Sequence, residues 1–491
     1  VSVEAGPQGQ DDQGHRRDPT TQGLIAGAVG LLAAAVRVPL LWDDAFAPGY
    51  DGWYYVLQVR SILDGQLLFD DWSVVHWFLA GLALLVGDVV VSNKIACLLF
   101  AGLTAAGGAI AAGRWTRSHW AAIAMGTWWA VSSLHLGVSS EYLKNQAGLV
   151  GLAWILALLP RVEQRRWTLG LLLTLVLLGP VVHKLTGVLG VAVVVGYAAM
   201  TWMQRRKSGR SWLWAAGAAT ALLVATGVFG LLRPQDLARF TSGVGGLPRF
   251  TAILGRTLSL PEQVEALLVH GVPVLICVGL LGVNGRPFRR LGVPLALMSV
   301  VLCAPGLPFD WHLSSWRLIL MGFIGVGVVL ALATARLGWP VAVVVVALGL
   351  IQLPWTVPSQ AEREPDYAAW APMLPIIQAQ VAPNERVVAH RGLCGFVWAE
   401  GGRICENFQP QGDLDDWWRI SWGMGEARLA PYSTEPPVAL VPGYSLVREP
   451  AWQAFRADHV DRFSLLKDPR NPWKPRPAFV YGPGRSTPEP E

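Results

Sequence analysis

"GYDGWYYVLQVRSILDGQLLFDDWSVVHWFLAGLALLVG", residues 49–87, decides how the rest of the chain is laid out. Its second half, 72–87, is apolar but only about sixteen residues long, short of the roughly twenty that a helix needs to cross a bilayer. If it crosses, every later loop changes side. RWTRSH (114–119), RVEQRR (161–166), QRRKSGR (204–210) and RPFRR (286–290) would then lie opposite the basic HRR of residues 15–17. If it does not, all of these share the side of the N-terminus. Basic residues collect on the cytoplasmic side, so 72–87 is expected to be an interfacial or re-entrant helix on the outer face. The first half of the stretch then opens an outer loop, 43–88, that carries Asp43, Asp44, Asp51, Asp64, Asp70 and Asp71.

Working outward, apolar runs recur at 22–42, 89–112, 119–138, 146–160, 168–182, 186–203, 211–232, 264–283, 291–306, 317–335 and 338–355. The reading is a polytopic α-helical membrane protein of about eleven spans. The composition agrees: 53% of residues are apolar and 15% charged, where soluble domains carry about 25% charge. The 24 Trp suit interfacial belts. The net charge of +5 resides in short loops between apolar runs, which sets topology and argues against a nucleic-acid surface. Residues 1–21 read as a disordered cytoplasmic tail without the charged–apolar–small order of a signal peptide, so the first run is expected to be a retained span.

An odd number of spans sends residues 356–484 outward. This part is polar and rich in Pro and Trp. Strand-like runs (ERVVAH, GFVWAE, VALVPG, PAFVYG) and helix-like runs (PDYAAWAPMLPIIQAQV, EPAWQAFRA) predict a small extracytoplasmic α/β domain, followed by a disordered end, 485–491. Cys394 and Cys405 flank GFVWAEGGRI, read as a hairpin; on the oxidising side of a membrane they are either a disulfide or two free thiols. DDWWRISWGM (415–424) is either a stacking surface for a glycan or acceptor, or part of a domain core.

Asp51 precedes an amphipathic run (Tyr54, Val56, Leu57, Val59, Ile62, Leu63). It is either an N-cap or a carboxylate with chemistry to do, as general base or cation ligand. In SSEYLKNQAG (139–148), Glu141, Lys144 and Asn145 would share one helical face, as an interfacial ion pair or as a second acid and a phosphate ligand. VVHKLTG brings His183 and Lys184 to an outer turn. PGLPFDWHLSSWRLILMG brings Asp310, His312 and Arg317. Arg60, Lys144, Lys184, Arg233, Arg239, Arg249, Arg256 and Arg317 all break the charge rule on the outer side, and an anionic ligand is one explanation. Acids and cations gathered at one membrane face suit transfer chemistry with a phosphate leaving group.

The outer first loop with an Asp opening an amphipathic helix, the second apolar juxtamembrane helix, and SNKIACLLFAGL opening the next span resemble the GT-C class of membrane glycosyltransferases, which includes protein O-mannosyltransferases, aminoarabinose transferases and oligosaccharyltransferase catalytic subunits. The motif order covers roughly residues 22–200, and the topology 1–355. The resemblance implies a GT-C-like transmembrane domain (22–355), a polyprenyl-phosphate or pyrophosphate sugar donor, an acceptor that is lipid, glycan or protein, and inverting transfer at the outer face of a bacterial-type plasma membrane, as in cell-envelope glycan synthesis. Asp51 matches the first-loop catalytic carboxylate and Glu141 the acid of the second outer loop. Lys144, His183, Lys184 and Arg317 are candidate donor-phosphate ligands, and Asp44, Asp70, Asp71, His76 and His312 accessory candidates. Gly52 stands where many members carry a second acid, and the second loop has no Asp-x-Asp, so a divalent cation (Mg or Mn) is left open. A transporter or flippase is the alternative, though it would place charges mid-span and in paired halves. A non-catalytic membrane subunit is the third class.

Overall fold

The computed structural model describes residues 19–69, 71–162, 165–204, 321–361, 365–407, 414–422 and 424–458, and the backbone of 467–468 and 471–475. The expected spans 211–232, 264–283 and 291–306 lie outside these residues, as do Asp70, Asp310, His312 and Arg317. The helices in order are α1 (Pro19–Leu41), α2 (Gly52–Leu63), α3 (Val74–Val86), α4 (Val89–Thr116), α5 (His119–Val131), α6 (Ser133–Glu141), α7 (Leu143–Leu158), α8 (Arg166–Val182), α9 (Lys184–Gln204), α10 (Phe323–Leu337) and α11 (Trp339–Ala361). Among the described residues, Thr20–Leu41, Val89–Thr116, Leu143–Arg161 and Trp339–Pro358 are long and apolar enough to cross a membrane.

α3 contains 13 residues, about 20 Å at 1.5 Å per residue. Ser73 caps its start by accepting from the Val75 N–H, and Gly87, at φ +82°, ends it in the left-handed conformation. It buries Val75, His76, Leu79, Ala80 and Ala83 against the body of the protein and leaves Trp77, Phe78, Leu84 and Leu85 exposed. That is the pattern of a helix lying along an apolar surface.

α4 is the axis of the bundle, packing against α1, α5 and α7. Small residues permit the close approach: at Gly30 and Gly102 each backbone abuts the other, and the edge of the Trp129 ring fills the space beside Gly108. The run 119–138, expected as one span, is two helices. Ser132, at φ −55° and ψ 131°, is at once the C-cap of α5 and the N-cap of α6.

After α11 come two short helices, α12 (Tyr367–Trp370) and α13 (Met373–Gln380), then β1 (Arg386–Ala389), α14 (Arg391–Gly401), β2 (Cys405–Asn407), β3 (Trp417–Trp422), α15 (Glu426–Leu429), β4 (Val438–Ala439), β5 (Tyr444–Arg448) and α16 (Glu449–Asp458). The sheet order is β2-β1-β3-β5-β4, with β1 parallel to β2 and β3, and β5 antiparallel to β3 and β4. β6 (Lys467–Asp468) and β7 (Asn471–Pro475) form a separate antiparallel pair. GFVWAE, expected as a strand in a hairpin, is helical and lies within α14. Its period is 3.6 rather than 2: Leu393, Phe396 and Val397 are all buried on one face. Cys394 and Cys405 form a disulfide that ties α14 to β2. Trp417 and Trp418 of β3 are each 3% exposed, so these two rings serve the core of the sheet rather than an open stacking surface.

The core of this α/β unit is shared with the first loop. Ala47, Trp53 and Val56 are buried in the same cluster as Tyr367, Trp370, Phe396 and Leu446. The Trp53 ring meets Tyr367 edge-on at 5.9 Å and Phe396 at 5.5 Å. Arg60 donates to the Ala399 carbonyl at 2.8 Å and pairs with Glu400 at 3.1 Å. A contact to this unit, rather than an anionic ligand, therefore accounts for Arg60, one of the basic residues expected on the outer side.

Candidate active site

Asp51 sits at the N-terminus of α2 and is 5% exposed. Its side chain makes no capping hydrogen bond to the helix, so capping does not account for it. The next residue has to be small. A Cβ on Gly52 would come within 2.9 Å of the Ala47 backbone, which excludes the second acid that many GT-C members carry there. Asn93 of α4 donates to the Gly52 carbonyl at 3.5 Å. Beside it Lys94, 3% exposed, donates to the Asp44 carbonyl at 2.6 Å, with the Asp44 carboxylate 3.7 Å away. Asp44 also accepts from the Phe46 N–H at 2.9 Å, so this acid shapes its own turn and faces a buried cation.

One turn into α2 lies a second cluster. Asp71 accepts from both the Tyr54 hydroxyl and the Lys144 ammonium. The ammonium also lies 5.3 Å from the centre of the Tyr54 ring, and the Lys144 backbone N–H donates to the Tyr55 hydroxyl at 3.2 Å. Burial, and then the Asp71 carboxylate, push the Tyr54 phenol far above its ordinary pKa. Tyr54 therefore stays a hydrogen-bond donor throughout the physiological range. His76, fully buried, packs its ring 5.8 Å from Tyr54 and 6.0 Å from Tyr55.

The same corner receives the turn between α8 and α9. Ser73 donates to the Val182 carbonyl at 3.1 Å. His183 ends α8 and is 7% exposed, with Nδ1 3.3 Å from the Thr186 hydroxyl. Lys184 is the first residue of α9 and is half-buried. Thr186 occupies the space that a Cβ on Gly148 would need, which lets this turn press against α7 one turn beyond Lys144.

Glu141 and Lys144 do not share a helical face. α6 ends at Glu141, Tyr142 interrupts, and α7 begins at Leu143. Lys144 takes Asp71 as its ionic partner. The reading of the Glu141 carboxylate lies outside the described residues, as do those of Asp70, His312 and Arg317. Asp51, Asp44, Asp71, His76, Lys144, His183 and Lys184 all belong to the loops, turns and helix ends around α2 and α3. Lys94, Asn93, Tyr54 and Tyr55 were not singled out from the sequence. Lys94 was within reach of the charge rule, as a Lys in the second turn of a span expected to start on the outer side. Among the described residues, no three His, Cys, Asp or Glu side chains come together to hold a metal ion.

No protein-family model matches the sequence, and no curated protein matches it. Its three-dimensional structure is similar to that of ArnT from Cupriavidus metallidurans bound to undecaprenyl phosphate, with a TM-score of 0.56 and 13% identity over 88% of this chain and 98% of that one. The apo state of the same protein gives 0.57 and 13% over 85% and 97%. The apo oligosaccharyltransferase of Archaeoglobus fulgidus gives 0.50 and 10% over 77% and 64%. At such identities the likeness speaks to the fold: the chain has the architecture of the GT-C glycosyltransferases.

Proposed function

We propose that the chain is an integral membrane glycosyltransferase that moves a sugar from a polyprenyl-phosphate or pyrophosphate donor to an acceptor hydroxyl or amine at the outer face of the membrane. The observation that carries this reading is a buried carboxylate, Asp51, at the helix start in the first loop of a GT-C fold, where the helix itself does not use it. Asp51 takes the proton from the acceptor as the acceptor's oxygen or nitrogen attacks the anomeric carbon. The bond from that carbon to the phosphate oxygen breaks on the opposite side, the electron pair leaves with the phosphate, and the configuration inverts.

A leaving phosphate needs positive charge at low dielectric. Lys94, Lys144 and Lys184 are the lysines gathered at this corner, with Lys94 facing Asp44 and Lys144 facing Asp71. Lys144 also holds Tyr54 and Asp71 in place. The α/β unit and the Asp51 loop share a core, which supports placing both on the outer side and the N-terminus in the cytoplasm. The acceptor classes that fit are lipids, glycans and proteins.

The test is reconstitution in vesicles with undecaprenyl-phosphate-linked pentoses and hexoses. Wild type is expected to consume donor, and Asp51→Asn to do so about 10²- to 10⁴-fold more slowly. No consumption by wild type together with passage of solute across the vesicle would support a transporter and refute the enzyme.

A further inference from the structure

The break between α5 and α6 takes three carbonyls out of the helical ladder, those of Trp129, Ala130 and Val131. On either side the ladder is intact: the Ser132 N–H donates to Trp128 at 2.9 Å, and the Leu136 N–H to Ser132 at 3.0 Å. Inside an apolar bundle an unsatisfied carbonyl costs several kcal/mol. Each of the three has its own side-chain donor. The Trp129 carbonyl accepts from His135 Nδ1. That of Ala130 accepts from the Arg37 guanidinium at 2.9 Å, and that of Val131 from the Gln352 amide at 3.0 Å.

These donors come from three different helices: α6, α1 and α11. A carbonyl can only accept, so the His135 proton is on Nδ1, and Nε2 of the neutral ring accepts from the Gln146 amide of α7 at 2.7 Å. The ring stacks on Phe323 of α10 at 4.4 Å. The far end of α6 is held as well. Arg37 Nε donates to the Ser139 hydroxyl at 2.6 Å and Gln360 to the Ser140 hydroxyl at 3.0 Å. Gln352 and Gln360 lie eight residues apart, on one face of α11. Arg37 is 1% exposed, and the partners identified for it are the carbonyls of Ala33 and Ala130 and the Ser139 hydroxyl.

We propose that Arg37, His135 and Gln352 are positioning residues that hold α6 rigid by capping the broken end of α5, so that the 141–144 turn stands in one place relative to Asp51. This rests on the glycosyltransferase reading. Arg37 reaches both ends of α6 at once, and Gln352 and Gln360 tie the break and α6 to α11.

The experiment compares full-length wild type with Arg37→Met, Arg37→Lys and Gln352→Leu, purified in detergent. Hydrogen–deuterium exchange is followed by mass spectrometry, and donor turnover is measured with the undecaprenyl-phosphate sugar that wild type consumes. In Arg37→Met and Gln352→Leu, amides of 133–141 are expected to exchange at least tenfold faster while those of 52–63 keep their wild-type rates. The kcat falls at least tenfold with the donor KM within threefold, and Arg37→Lys, which retains a donor for Ala130, recovers most of both losses. Should Arg37→Met fail to fold, Gln352→Leu and Arg37→Lys carry the same comparison. Unchanged exchange in 133–141 overturns the proposal, as does faster exchange with kcat within twofold of wild type. If wild type consumes no donor, the enzymatic reading fails separately and the exchange of 133–141 alone decides whether these residues hold α6.

Discussion

The segments that carry Asp51 and Glu141 are fastened by opposite means. α2, which follows Asp51, is held by apolar burial: Trp53, Val56 and Ala47 are sunk into the aromatic core of the α/β unit. The Glu141 segment is held by polar groups, with a guanidinium, an imidazole and an amide capping backbone carbonyls within an apolar bundle. The difference follows from the solvent on each side. Where water is present, removing apolar surface from it stabilises by about 25 cal/mol per Å². Between membrane helices that driving force is missing, and packing and hydrogen bonds decide the geometry. Two segments of one chain can thus be fastened, one by means suited to water and one by means suited to lipid.

The strongest way to break this contrast is Trp53→Ala. Removing the indole should destabilise the α/β unit by about 3–5 kcal/mol, seen as early thermal or denaturant loss of the exchange protection of 391–401. Retention of that protection would mean that the shared core does not hold α2. Removing the disulfide comes next. Opening a loop with a sequence separation of 11 should cost about 3 kcal/mol on the chain-entropy account. Denaturant titration of Cys394→Ser/Cys405→Ser is expected to show it for the α/β unit and not for the bundle.

A third effect is one of pH. His390 packs between Trp370 and Tyr444, both its ring nitrogens are closed off, and burial lowers its pKa to about 4. At neutral pH both folded and unfolded chains carry it uncharged, and it contributes no pH dependence. As pH falls through the unfolded value of about 6.5, only the unfolded chain takes up the proton, so stability declines until the folded ring also titrates near pH 4. His390→Leu should flatten the pH 4–6.5 limb of the stability curve by roughly 3 kcal/mol. A limb identical to wild type would show that His390 charges without cost. The smallest effect is Arg60→Gln. Its pair with Glu400 is about 40% exposed on both sides, and the change should cost under about 1 kcal/mol by thermal unfolding.

Hydropathy made the positions of most of the described helices legible, because an apolar run is a property of a short segment, and charge placement set the expected sides. The demotion of 72–87 rested on these, and α3 is 13 residues long. The Ser132 break was not legible. Its stability comes from Arg37, about a hundred residues earlier, and Gln352, over two hundred later, and the run 119–138 reads as continuously apolar. GFVWAE was misread because six residues with apolar positions at both spacings fit either period, and only the partner surface decides. Asp51 stood out through its place before an amphipathic run. Lys94 did not, since a single Lys at a helix start also reads as an interfacial anchor. The pairing of Lys144 with Asp71 rather than Glu141 depended on where α6 ends, which no local pattern announced.

The core shared by α2 and the α/β unit has a consequence in time. Arg60 and its partner on α14 are 339 residues apart in the chain. At roughly 5–20 residues per second, a ribosome needs about 20–70 s to make what lies between. For that interval the face of α2 that bears Trp53 and Val56 has been synthesised without its cover. The juxtamembrane surface of the nascent chain is therefore sticky while the bundle assembles, and the last quarter of the protein acts on the first as a delayed clasp. Slowing or truncating synthesis after α11 should thus strand an inserted bundle with its Asp51 wall unfinished.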